Sequence, residues 1–112
     1  MKDIKRNLTM LCDYYELTMS NGYFTAEMKD KIVYFDVFYR DNPDNGGYAI
    51  AAGLEQIVEY INDLHFDDED IEYLRGKGCF SEEFLEYLKG FKFTVIFSRS
   101  PREQSFFPAS RL

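Results

Sequence analysis

The segment Cys12-Asp13-Tyr14-Tyr15-Glu16-Leu17-Thr18-Met19 brings an acid, an aromatic ring and a hydroxyl close together. On a helix, Tyr15 and Thr18 share a face, three residues apart, and Asp13 lies just ahead of them. A flat ring with polar neighbours suits stacking against a planar, electron-poor ligand. The same spacing equally suits a tyrosine packed into a domain core, and periodicity leaves both readings open. Arg40 is the second candidate. It shares a strand face with Asp36, which allows an internal ion pair, the reading that composition favours. It also allows a contact from the guanidinium fork to a phosphate or carboxylate.

Other chemistries find little support. His65 is the only histidine, so no serine or cysteine has a second imidazole to serve as base, and His65 itself reads as solvated near a helix end. Gly46-Gly47 lacks the lysine and hydroxyl that follow in a P-loop and the spacing of a dinucleotide fingerprint, which leaves a hairpin turn. Asp67 to Asp70 lack calcium-loop spacing and suit the start of a helix. Cys12 and Cys79, the only cysteines, form neither a metal pattern nor a disulfide framework.

The elements that must position these residues follow from hydrophobic spacing. A helix is expected from Leu8 to about Phe24, with Leu11, Tyr15, Thr18 and Gly22 on one face and Asn7 as its cap. Residues 31–40 alternate as a strand, the turn residues of Asp41 to Gly47 follow, and Tyr48 to Ala52 read as a second strand of a hairpin. Three helices come next. The first carries Leu54, Ile57, Val58 and Ile61 inward, the second opens on acids, and the third is capped by Ser81. A last strand is expected in Phe91 to Phe97. The order helix, antiparallel hairpin, short helices, strand is an α+β arrangement.

Composition sets limits. The 112 residues suit a single domain, and 46% hydrophobic content can fill a core. The net charge of −7 argues against a nucleic-acid surface and against an anionic membrane. The charged start has no apolar run behind it, and no stretch is long enough to span a bilayer, so a cytoplasmic location is expected.

Three stretches in order carry a resemblance. They are LTMLCDYYELTMSNGYF, VYFDVFYRDNPDNGGYAIAAGLEQIVEYI and DIEYLRGKGCFSEEFLEYLKGFKFT, together spanning about Leu8 to Thr94. The first resembles the opening helix of nicotinate phosphoribosyltransferases, with Asp-x-Tyr-x-x-Thr-Met and then Gly-Tyr. The second resembles the family's aromatic strand ending in Arg, followed by Asn-Pro, a glycine pair with Tyr, and Ala-Gly-Leu-Glu. The third resembles the next family block. The resemblance implies the N-terminal α+β domain of a type II phosphoribosyltransferase, whose larger part is an α/β barrel that this sequence does not include. It implies the joining of nicotinate to phosphoribosyl pyrophosphate to give nicotinate mononucleotide for NAD salvage. ATP hydrolysis is coupled through a phosphohistidine, and magnesium accompanies the phosphates. It also implies a homodimer with a shared active site, in which Tyr15 stacks on the pyridine ring in the neighbouring subunit. Asp13 matches the acidic position beside it, Thr18 a supporting position, and Arg40 a basic position near the phosphate. The phosphorylated histidine, the arginine for the substrate carboxylate and the phosphate-binding loop belong to the barrel. This chain alone is therefore expected to be inactive, binding neither ATP nor magnesium. The rival expectation is a stand-alone acidic binding domain without catalysis.

The resemblance stops after Thr94. Residues 95–112 turn basic, with Arg99, Arg102 and Arg111 against the single acid Glu103. Relatives continue with a sequence like Gly-Asp-Ile-x-x-Ile-Pro-Glu-Gly-Thr-Val-x-Phe-Pro-Gly-Glu-Pro-Ile. A coding string for that sequence, read after loss of one G at its start, can yield Val95 through Arg111 and the start of Leu112. The expected organisation is a family domain over 1–94 and an out-of-frame tail over 95–112.

Overall fold

The computed structural model describes residues 6–94. Four α-helices run through them: α1 (Tyr14–Thr25), α2 (Leu54–Asp63), α3 (Asp68–Gly76) and α4 (Glu82–Lys89). A short 3-10 turn, Pro43–Asn45, interrupts the long connection between α1 and α2.

Sequence chemistry sets the helix ends. At α3, the Asp67 backbone N–H donates to Asp70 Oδ2 at 3.0 Å, half of a capping box, and the acids of the first turn meet the positive end of the helix dipole. At α4, the Phe84 N–H donates to Ser81 Oγ at 3.2 Å, as expected of a serine N-cap. Between the two helices Gly78 takes φ +73, a left-handed conformation that glycine adopts without a Cβ clash and that lets α4 fold back onto α3.

The core lies among α1, α3 and α4. Leu17, Ile71, Leu74, Phe84, Leu85 and Leu88 are buried together, with Met10, Cys12, Phe24, Phe66 and Phe80 packed around them. Three- and four-residue spacings place Ile71 with Leu74 and Leu85 with Leu88, so each short helix contributes one apolar stripe. Phe24 bridges to α4, its ring 5.7 Å from Phe84 and 5.1 Å from Tyr87. Ahead of α1, Thr9 is buried. Its Oγ1 accepts from the His65 N–H at 3.1 Å, and its carbonyl accepts from Tyr60 Oη at 3.3 Å. These bonds tie the start of the chain to α2 and to the α2–α3 connection.

Four expectations need correction. The α+β architecture with an antiparallel hairpin is not seen: among the described residues there are helices and no strand. Residues 31–40 and 48–52 have no regular secondary structure, and no backbone ladder joins them. Alternation specifies a strand only where a second strand accepts its hydrogen bonds. Helix α1 begins at Tyr14 rather than Leu8. Residues 8–11 form a turn in which the Leu11 N–H donates to the Leu8 carbonyl at 2.8 Å, and Asn7 reaches away from α1 to the His65 carbonyl and Asp67. Helix α2 forms where expected, but Ile57 and Val58 are about half exposed, since no described segment covers them. Residues 91–94 are irregular, and the remainder of the last expected strand, with the tail, lies outside the described residues.

Candidate functional site at the start of α1

Which face of α1 points inward decides what its tyrosines can do. The sequence spacing suggests Leu11, Tyr15, Thr18 and Gly22. The structure instead buries Leu17 and half-buries Asn21 and Phe24, with Tyr14 packed at the inner edge. The Tyr14 ring meets Phe80 edge-on at 6.0 Å, and its hydroxyl is hydrogen-bonded to Cys79 Sγ at 2.7 Å. That bond, more than burial, raises the Tyr14 pKa above its ordinary value. Two turns further on, Asn21 Oδ1 accepts from the Ser81 N–H at 3.1 Å, and Asn21 Nδ2 donates to the Cys79 carbonyl at 3.5 Å. Tyr14 and Asn21 thus bind α1 to the loop between α3 and α4. Sequence reasoning missed both, although the 14–17–21–24 spacing held the signal.

This phase turns Tyr15 outward, where it is 59% exposed. A core role for Tyr15 is therefore not what the fold uses. Thr18 Oγ1 donates to the Tyr15 carbonyl at 3.0 Å, which occupies the hydroxyl on the helix backbone beneath the ring. Asp13 precedes the first turn with extended backbone (φ −70, ψ 141), and its side chain makes no capping bond. Its carboxylate stands at the positive end of α1, a favourable place for an acid, and is exposed.

Beside Asp13 lies an open depression of about 580 Å³, lined by Leu11, Cys12, Asp13, Glu16 and Tyr60. Burial, followed by the charges of Glu16 and Asp13, pushes the Cys12 thiol pKa up, so the thiol is held protonated. The Tyr60 hydroxyl is also raised, first by burial and then by Cys12 and Glu16. With two carboxylates in its lining, this hollow disfavours a bound phosphate. Tyr15 is next to the depression in sequence but does not line it.

The structure does not bring Arg40 to this site. Arg40 is exposed on the long connection between α1 and α2, and no described hydrogen bond or ion pair joins it to α1. Nor does one join Arg40 to Asp36, so the internal ion pair suggested by composition is absent among the described residues. His65 is half exposed, with Nε2 3.1 Å from Asp67 Oδ1, and belongs to the polar junction before α3. Among the described residues no cluster of three or more His, Cys, Asp or Glu could hold a metal ion. No described helix is long and apolar enough to cross a membrane.

Comparison with known proteins sets this geometry in context. Residues 10–111 match the family model described as the nicotinate phosphoribosyltransferase N-terminal domain. A nicotinate phosphoribosyltransferase of Mycobacterium tuberculosis is 39% identical over 99 residues, which are 88% of this chain and 21% of that protein. Nicotinate phosphoribosyltransferase 1 of Arabidopsis thaliana is 36% identical over 83 residues, 72% of this chain and 15% of its own length. The Bacillus subtilis nicotinate phosphoribosyltransferase is 36% identical over 79 residues, 70% of this chain and 16% of its own length. The chain thus spans about a fifth or less of these relatives.

Proposed function

The chain belongs to the nicotinate phosphoribosyltransferase family through its N-terminal domain, and we propose that it supplies the ring-stacking side of a site that joins nicotinate to phosphoribosyl pyrophosphate. The observation that carries this reading is the outward Tyr15: it tops a helix clamped by Tyr14 and Asn21, and the residue is 59% exposed. An aromatic side chain held on a rigid helix and offered to solvent is suited to receive a flat ligand.

In the transfer, the pyridine nitrogen forms a bond to the ribosyl anomeric carbon while that carbon's bond to pyrophosphate oxygen breaks. The electron pair leaves with pyrophosphate, and the ring becomes a pyridinium. Stacking on Tyr15 fixes the ring plane so that its nitrogen faces the anomeric carbon, and positioning of this kind supplies a large part of such a barrier reduction. The carboxylates of Asp13 and Glu16 add negative potential beside a ring that turns cationic. Arg40 contacts a phosphate in this reading once its segment is brought to the site. Tyr15 acts in the site of a second subunit, so the working enzyme is a homodimer, and its place is the cytoplasm. Magnesium finds no donor set among the described residues. ATP and magnesium serve the complete enzyme, where ATP hydrolysis drives the transfer. In this reading the chain carries out no transfer by itself, since the resemblance assigns the phosphate-binding loop and the phosphorylated histidine to the barrel.

The test is direct. A complete enzyme carrying this domain should form nicotinate mononucleotide from nicotinate, phosphoribosyl pyrophosphate and ATP, measured chromatographically, and the 112-residue chain alone should form none. Product from the chain alone, or none from the complete enzyme, refutes the assignment.

A further inference from the structure

The inner face of α1 carries a polar residue where burial alone would favour an apolar one. Asn21 is half-buried, one turn from Leu17 and three residues from Phe24, which both pack into the core. Its Oδ1 accepts from the Ser81 N–H at 3.1 Å, and its Nδ2 donates to the Cys79 carbonyl at 3.5 Å. Ser81 is itself fixed, because its Oγ caps α4 by accepting from the Phe84 N–H at 3.2 Å. Asn21 thus docks α1 onto the first turn of the helix that holds Phe84, Leu85 and Leu88. The apolar contacts of Leu17 and Phe24 are non-directional and tolerate a partial rotation of α1. Hydrogen bonds weaken steeply with angle and do not.

We propose that Asn21 is a positioning residue for Tyr15: it fixes the rotation of α1 about its own axis and so the place of the stacking ring. The assignment rests on the transferase reading above. Asn21 lies six residues beyond Tyr15, about 9 Å along the helix, so it acts through the helix and not by touching a ligand. Leverage makes the effect large. A rotation of about 10° moves a side-chain atom about 5–6 Å from the axis by about 1 Å. A misplacement of that size can cost on the order of a hundredfold in rate. A rotation of one residue, about 100°, would exchange Tyr14, Leu17, Asn21 and Phe24 for Tyr15, Thr18, Gly22 and Thr25 and turn the stacking tyrosine inward.

Two readouts test it. In the complete enzyme carrying this domain, Asn21→Leu keeps the bulk and the helix propensity but removes both hydrogen bonds, and it should lower kcat/KM for nicotinate roughly tenfold. In a Tyr15→Ala background the same change should have no further effect, because the ring it positions is gone. Asn21→Asp keeps an acceptor for the Ser81 N–H and should retain most of the activity. The second readout needs no catalysis: acetylation of tyrosine hydroxyls by N-acetylimidazole in the full 112-residue chain, located by fragmentation mass spectrometry. Tyr15 should react ahead of Tyr14, whose hydroxyl is held by Cys79. Asn21→Leu should lower the ratio of Tyr15 to Tyr14 labelling, and Asn21→Asp should preserve it. An unchanged ratio in folded Asn21→Leu overturns the proposal. So do losses that multiply independently in the double variant, as a merely structural role requires. A complete enzyme that makes no nicotinate mononucleotide refutes the transferase reading separately, and the labelling ratio then decides by itself whether Asn21 sets the rotation of α1.

Discussion

Replacing Tyr15 with alanine separates a ligand role from a packing role. The side chain is 59% exposed and its hydroxyl has no described partner, so its removal opens no cavity. The change in folding stability should stay within about 0.5 kcal/mol, as for other exposed helix positions. Leu17, two residues on, is 8% exposed within the α1–α3–α4 core, and Leu17→Ala should cost about 2–5 kcal/mol. Catalysis should rank the two the other way. An aromatic stack contributes about 0.5–1.5 kcal/mol beyond area burial. The apolar area of the nicotinate ring that Tyr15 would no longer cover brings the total to about 1.5–2.5 kcal/mol. At about 1.4 kcal/mol per decade this is roughly a 10- to 70-fold fall in kcat/KM for nicotinate. Tyr15→Phe keeps the ring and should keep most of the activity. The assays are urea unfolding of the domain and steady-state kinetics of the complete enzyme carrying each variant. Unchanged kinetics in folded Tyr15→Ala would refute the stacking role. A stability loss as large as that of Leu17→Ala would refute the outward placement.

Further outcomes follow from the helix ends and from the sequence. Ser81→Ala removes the acceptor for the Phe84 N–H and should cost about 1 kcal/mol in urea unfolding. Hydrogen bonds from Arg75 hold the Glu82 carboxyl pKa below its ordinary 4.5, so the stabilisation from this pair is complete above that value and is lost as pH falls through the lower folded-state value. Arg75→Ala should therefore reduce the acid-side loss of stability in a pH series of thermal melts. Genomic DNA read past the codon for Thr94 should show a barrel-encoding frame displaced by one base; its absence would make residues 95–112 a genuine family segment.

The sequence makes the helices legible wherever local chemistry is complete. Ser81, the acids before α3 and the apolar stripe of each short helix all report on residues within a turn or two, and α2, α3 and α4 stand where the sequence predicts them. The two segments expected to form the hairpin are not legible in the same way. Alternation over residues 31–40 records a preference for a pleated, half-buried surface, but a sheet also needs a second strand alongside, a non-local fact. The tail is a different case. The family match continues to residue 111, past the Thr94 boundary.

For the candidate site, the residue types are legible and the helix phase is not. Aromatic and small polar residues occur on both faces of α1, so its hydrophobic periodicity is nearly flat and either face could turn inward. What selects the face is polar and comes from elsewhere in the chain: Asn21 and Tyr14 meet Ser81, Cys79 and Phe80, some sixty positions later. Those bonds are made by the α3–α4 loop, whose path includes the left-handed Gly78 and the Ser81 cap. The orientation of Tyr15 is thus set by contacts on the opposite face of α1. Loosening that clamp should disturb ring positioning before it disturbs the core, because Leu17, Phe84 and Leu85 belong to an apolar cluster that includes neither Tyr14 nor Asn21.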